Sequence, residues 1–242
     1  MKSGNPVLRT DTFEAVPVGE RMTINGTINK TAMMLALVMI TAIYTWGRFT
    51  AAGDPAAIMP LVWTGAIGGL VMALVTVFKS EWAAFTAPIY ALLEGLLVGG
   101  LSAVFNVAYP GIVVQAVGLT FGVMAVMLLA YRSGLIQATE KFKIGVIAAT
   151  GGIALLYLVS MVMGMFGKSI GFIHEGGTFG ILFSVFVVVI AALNLVIDFD
   201  FIKQRADQGA PKHMEWYGAF ALTVTLIWLY LEILRLLSKM RK

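Results

Sequence analysis

From residue 31 to the carboxyl end the chain is a succession of apolar stretches of 18 or more residues, each closed by a short polar or turn-forming break. Coiled as a helix, a stretch of that length crosses the about 30 Å of hydrocarbon in a bilayer, where the backbone has to satisfy its own hydrogen bonds. Apolar windows lie at 31–48, 56–78, 82–106, 111–131, 144–166, 177–199 and 216–237, which predicts an all-α membrane protein of seven transmembrane helices. The breaks have physical causes: Gly53-Asp54-Pro55 stops the first window, Lys79-Ser80-Glu81 the second, Tyr109-Pro110-Gly111 the third, and Arg132 with Lys141 and Lys143 the fourth. Such short connections imply a compact bundle.

Charge is scarce, at 12% of residues against about a quarter in a soluble domain, so lipid is the main solvent. Only Met1 to Lys30 reads otherwise. With two prolines and mixed charge but no apolar run, residues 1–30 fit neither a signal peptide nor a packed domain and are expected to form a flexible polar tail. The membrane domain is then 31–237, and 238–242 form a basic end. Cysteine is absent, which removes disulfides, thiolate metal sites and cysteine nucleophiles together. The net charge of +4 is spread over tails and loops, which suits anionic lipid headgroups rather than nucleic acid.

Lysine and arginine are retained on the cytoplasmic side during insertion. A cytoplasmic amino terminus places eleven of the 17 basic residues inside and six outside. The last four, from Arg235 to Lys242, lie against the trend, so either the seventh segment crosses fully and carries a basic end outside, or it re-enters. A full crossing is expected.

Ionisable side chains inside a span cost about 2.5 to 3.5 kcal/mol at the centre, so each needs a reason. Glu94 sits mid-span in APIYALLEGLLVGGLS, with Tyr90 one turn earlier on the same face. It reads as a proton or cation ligand in the bundle interior, or as a protonated carboxyl bonded to a neighbouring helix. Asp198 and Asp200 close the sixth span in LNLVIDFDFIKQ. Two positions turn a helix by about 200°, so they cannot both face inward. Asn194, one turn before Asp198, favours Asp198 as an inward member; the alternative is that one or both mark the water interface and pair with Lys203 or Arg205. Glu232 in WLYLEILRLL has Arg235 three positions on for a local ion pair, and Thr225 two turns earlier extends the same face into a polar stripe. Small residues mark close helix contacts: Gly95 with Gly99, and Gly118 with Gly122, each present glycines on one helix face.

Enzymatic patterns fail on spelling. His174-Glu175 lacks the second histidine of a zinc-protease helix, and His213 is remote in sequence. No glycine-flanked serine elbow or Gly-x-Gly-Asp segment appears, and Lys239 is too terminal to hold a retinal. No enzyme and no cofactor is expected.

Three stretches together, the two quoted above and EWYGAFALTVTLIWLYLEILRLL from Glu215 to Leu237, resemble the Bax inhibitor-1 type family, most closely a bacterial branch. The resemblance covers roughly 31–237 and leaves the tail outside. It implies six helices around a central carboxyl-terminal seventh, and a pH-sensitive calcium leak or a regulator of cell-death and stress pathways in a bacterial plasma membrane. In relatives, an aspartate ending the sixth helix shares a proton with one early in the seventh. The first maps onto Asp198 or Asp200, which then becomes a candidate calcium ligand. The second falls on Thr225, so the latch of two carboxylates is altered here. Relatives also carry an arginine in the second helix; residues 56–78 contain none, leaving Lys79 as a substitute. The reading that follows is a pH-dependent cation path through Asp198 or Asp200, Glu94 and Glu232. Its rival is a non-conducting membrane protein that binds a protease or stress-response complex, with the carboxylates as interhelical glue. A proton-coupled transporter ranks last, because Pro60, Pro88 and Pro110 lie too near span ends to break helices at mid-membrane.

Overall fold

The computed structural model describes residues 21–167 and 177–241. Residues 1–20 of the expected tail, the His174-Glu175 pair and Lys242 lie outside the described residues. Seven long helices follow in order: α1 (Ile24–Ala52), α2 (Met59–Phe78), α3 (Ala83–Ala108), α4 (Ile112–Arg132), α5 (Glu140–Met165), α6 (Thr178–Asp207) and α7 (Met214–Met240). Each is long and apolar enough to cross a membrane. The chain is an all-α, multi-pass integral membrane protein.

Helix ends extend past the apolar windows. Helix α1 starts at Ile24 rather than 31, because Thr23 caps it by accepting from the Gly26 N–H at 2.9 Å. Its polar first turns therefore belong to the helix, not to a tail. Ahead of it, Met22 N–H donates to the Ala210 carbonyl at 2.7 Å, tying the entry of α1 to the turn before α7. Helix α6 likewise continues beyond 199 to Asp207. Apolarity reports where hydrocarbon ends, whereas a capped helix runs on through the headgroup layer. Gly53, at φ 68°, closes α1 in the left-handed conformation that glycine adopts without penalty, and Asp54 caps the short turn that leads into α2.

Close backbone approach holds α1, α2 and α3 together. A Cβ at Gly95 would run into the Val38 carbonyl and the Thr41 hydroxyl, and one at Gly99 into the backbone of Ala42. At Gly65 the obstacle is the Leu93 carbonyl, 2.6 Å away. These glycines let backbones meet where lipid supplies no hydrophobic drive between helices. Gly118 and Gly122 differ: a Cβ there would meet open space among the described residues. The spacing is the same, but that face of α4 turns away from its neighbours.

Helix α7 is the most buried span and packs against α1, α3, α4 and α6. It runs the length of the bundle, as its two ends show. At one, Glu215 meets Thr23 and Lys30 of α1; at the other, Lys239 reaches the start of α6 and Arg241 the start of α4. The exposed faces of α2, α4 and α5 carry large apolar side chains such as Leu70, Leu129 and Leu155, which suits contact with lipid.

Candidate functional site

Sequence polarity concentrates in α7, where Glu215, Thr223, Thr225, Glu232 and Lys239 are all buried. A buried charge has to be paired, and the structure gives each acid a different surrounding.

The two aspartates of α6 part as helix geometry requires. Asp198 turns into the bundle against α7, with the Thr225 hydroxyl beside it. Its Oδ2 is buried and has no hydrogen-bond partner among the described residues. Asp200 turns the other way, accepting from Tyr131 of α4 at 3.1 Å and from Gln204 at 2.7 Å, and it pairs with Lys143 of α5 at 3.0 Å. Lys143, not Lys203 or Arg205, is its cation, because the start of α5 lies beside the end of α6. Arg205 instead sits over the Phe201 ring at 5.3 Å. Asn194 donates to Thr150 of α5 at 2.8 Å and to the Ile190 carbonyl at 2.9 Å, so it ties helices one turn from Asp198.

Glu94 is half-buried on α3 with its carboxyl against Gly69 of α2, where an added Cβ would lie 2.9 Å from Oε2. It makes no hydrogen bond among the described residues. Tyr90 packs edge-on against Phe220 of α7 with ring centroids 5.0 Å apart, and Ser102 bonds Tyr230 at 2.6 Å. This register sets Glu94 near the depth of Thr223 to Thr225, yet facing α2 rather than Asp198.

Glu232 forms the expected pair with Arg235 at 2.7 Å, and the Tyr157 hydroxyl of α5 completes it, 3.1 Å from each carboxylate oxygen and 2.7 Å from the guanidinium. Replacing Tyr157 with phenylalanine should lower stability by about 1.5 to 3 kcal/mol, the range for hydrogen bonds to charged groups. Thermal unfolding in detergent measures it; an unchanged midpoint would remove Tyr157 from the cluster. Lys79 does not replace the family arginine in this geometry: it is exposed at the end of α2 and joins no ion pair among the described residues.

The polar groups thus stand around α7 at several depths and do not converge on one centre. Among the described residues no three His, Cys, Asp or Glu side chains gather where they could hold a metal ion. What remains at mid-bundle is the Asp198–Thr225 contact. A hydroxyl both donates and accepts, so Thr225 serves the charged and the protonated carboxyl alike, whereas a second carboxylate would require a shared proton.

Two buried groups escaped the sequence reading. Glu215 accepts from the Thr23 N–H and hydroxyl, both at 2.9 Å, pairs with Lys30, and has Lys212 at 3.4 Å. Lys239 donates to the Gly180 carbonyl at 3.0 Å and to Ser184 at 2.9 Å. Reading residues 21–30 for helix caps would have found Thr23 and placed Lys30 on a helix. Nothing in the local sequence announces a partner 185 residues away.

A family model described as Bax inhibitor 1 like matches residues 5–242, and so takes in most of the tail as well as the membrane helices. No curated protein and no solved structure matches the chain.

Proposed function

The chain belongs to the Bax inhibitor 1 like family, and from that premise we propose that it is a pH-dependent cation leak, with calcium as the cation, gated at Asp198. The observation that carries this reading is the lone buried oxygen of Asp198 beside Thr225. A protonated Asp198 is neutral and sits between α6 and α7 with its hydroxyl partner, leaving the helices closed. A deprotonated one carries a charge with no cation paired to it among the described residues, which draws in water or a hard cation that binds carboxylate oxygen. Flux therefore rises with pH. In the proposed topology the amino terminus is cytoplasmic and the membrane is a bacterial plasma membrane, in keeping with the excess of Lys and Arg on that side.

Purified protein in liposomes loaded with a calcium indicator tests this. The wild type should pass several-fold more calcium at about pH 8 than at about pH 6, and Asp198→Asn should pass little at either. Equal flux from both proteins at both values would overturn the reading. A second reading rests on Asp200, Glu215 and Glu232, each held in an ion pair: the carboxylates are glue, and the protein regulates a membrane protease or stress complex. It predicts no flux above protein-free liposomes.

A further inference from the structure

Residues 21–23 lie across the amino-terminal end of α7 as a short strap that belongs to no helix. Thr23 is extended, at φ −126° and ψ 149°, and the backbone ahead of it pairs with the turn before α7. Arg21 forms an antiparallel bridge with Pro211, and the Met22 N–H donates to the Ala210 carbonyl at 2.7 Å. After Met22, the Thr23 N–H and hydroxyl both donate to Glu215 at 2.9 Å. Side chains alternate along extended backbone. Here Met22 is the one turned inward, 3% exposed, while Thr23 stays at the surface.

Met22 enters a recess left by Gly218. A Cβ on Gly218 would lie 3.4 Å from the Met22 Cε, and 3.1 Å from both Cγ1 of Ile202 on α6 and Cγ2 of Thr27 on α1. The strap, α1 and α6 thus converge on one point of α7. From there α7 reaches Leu222 after one turn and Thr225 after about 10 Å, all three within about 60° around the helix. On α6, Ile202 lies one turn beyond Asp198 and on the same face. Met22, Ile202 and Leu222 belong to one buried apolar cluster, which separates the amino-terminal end of the bundle from the Asp198 carboxyl. Ile202 and Leu222 are fixed in their helices. Met22 is not: lifting it breaks the bridge and the bond to Ala210 but no helical turn.

We infer that the strap is a stopper: Met22 closes the way from water at the amino-terminal end of α7 to Asp198, and lifting residues 21 and 22 opens it. Its effect on flux rests on the reading of Asp198 as the gate. The sealing itself does not, and thiol labelling measures it without any ion.

The chain has no cysteine, so Leu222→Cys supplies a single reporter behind Met22. The full chain in phosphatidylcholine nanodiscs, with both faces in water, is treated with a charged, water-soluble methanethiosulfonate reagent. Thiol reactivity follows exposure, so labelling should be slow with Met22 in place and about tenfold faster with Met22→Gly. Met22→Ala, which keeps the Cβ and disturbs the backbone least, should give a smaller increase, and the near-isosteric Met22→Leu should stay slow. Equal rates with methionine, leucine, alanine and glycine at position 22 would overturn the stopper. A glycine variant that melts lower yet labels as slowly as the wild type would overturn it too, leaving Met22 as packing alone. Arg21→Cys with Pro211→Cys tests the lifting. Directly opposed residues of an antiparallel bridge without mutual hydrogen bonds lie about 4.5 Å apart at Cα, within disulfide range. In calcium-indicator liposomes this staple should pass several-fold less calcium oxidised than reduced, and equal flux in the two states would overturn the lifting. No flux in either state, with labelling as expected, would support the stopper and remove the leak.

Discussion

Alanine at Gly99 should destabilise the protein by about 2 kcal/mol, in the range for overpacking a tight interface, while alanine at Gly118 stays within about 0.5 kcal/mol of the wild type. At Gly99 the new methyl would strike the backbone of Ala42, and backbone cannot rotate out of the way as a side-chain tip can. Helices α1 and α3 have to separate, and with them goes the contact of Gly95 with Val38. A second alanine at Gly95 adds less than its separate cost, because the first has already parted the same interface. Leucine at Gly99 should leave little folded protein. At Gly118 nothing described lies within 4 Å of the added atom. Thermal unfolding followed by gel filtration in detergent compares the variants directly; a Gly99→Ala protein that melts with the wild type would show that α1 and α3 are not held by this contact.

The second large effect is expected at Glu215. Removing its charge with leucine should cost about 3 kcal/mol, because a buried pair broken on one side strands the other charge. The side chain of Glu215 is fully buried and that of Lys30 is 17% exposed, so Lys30 loses its anion at a place that water reaches poorly. Lys30→Met should cost less, since Lys212 and the Thr23 donors still serve the carboxylate. The double variant, apolar at both positions, should recover much of the loss, as buried pairs replaced by packed apolar groups often do. Gly26→Ala should act in the same direction as Glu215→Leu, because its methyl would fall on the carboxyl group itself. A double variant no more stable than Glu215→Leu alone would show that packing, not charge, holds the amino-terminal ends of α1 and α7 together.

Much of the architecture was legible from hydropathy, because crossing a membrane imposes a length and an apolarity that can be counted along the chain. The ends were less so. Thr23 and Lys30 belong to α1 through a cap and an ion pair, neither of which registers in an apolar window. The glycine pairs show the limit of spacing: Gly95 with Gly99 and Gly118 with Gly122 spell the same pattern, and only the first pair meets another helix. For the acids, helical rotation required that Asp198 and Asp200 diverge, and Asn194 favoured Asp198 as the inward member. The cation of Asp200 came from α5 instead of its own helix. The Glu232–Arg235 pair was local and readable; Tyr157, 75 residues away, was not.

By itself, then, the sequence determined the solvent, the number of crossings and the few polar groups that must find partners inside, since these follow from transfer energies summed over neighbouring residues. It also pointed to the family. Only the tertiary structure decided which partner each group finds: Thr225 for Asp198, Lys143 for Asp200, Lys30 for Glu215. Each of those contacts joins two different helices, and it depends on rotations and depths that packing of all the helices sets together.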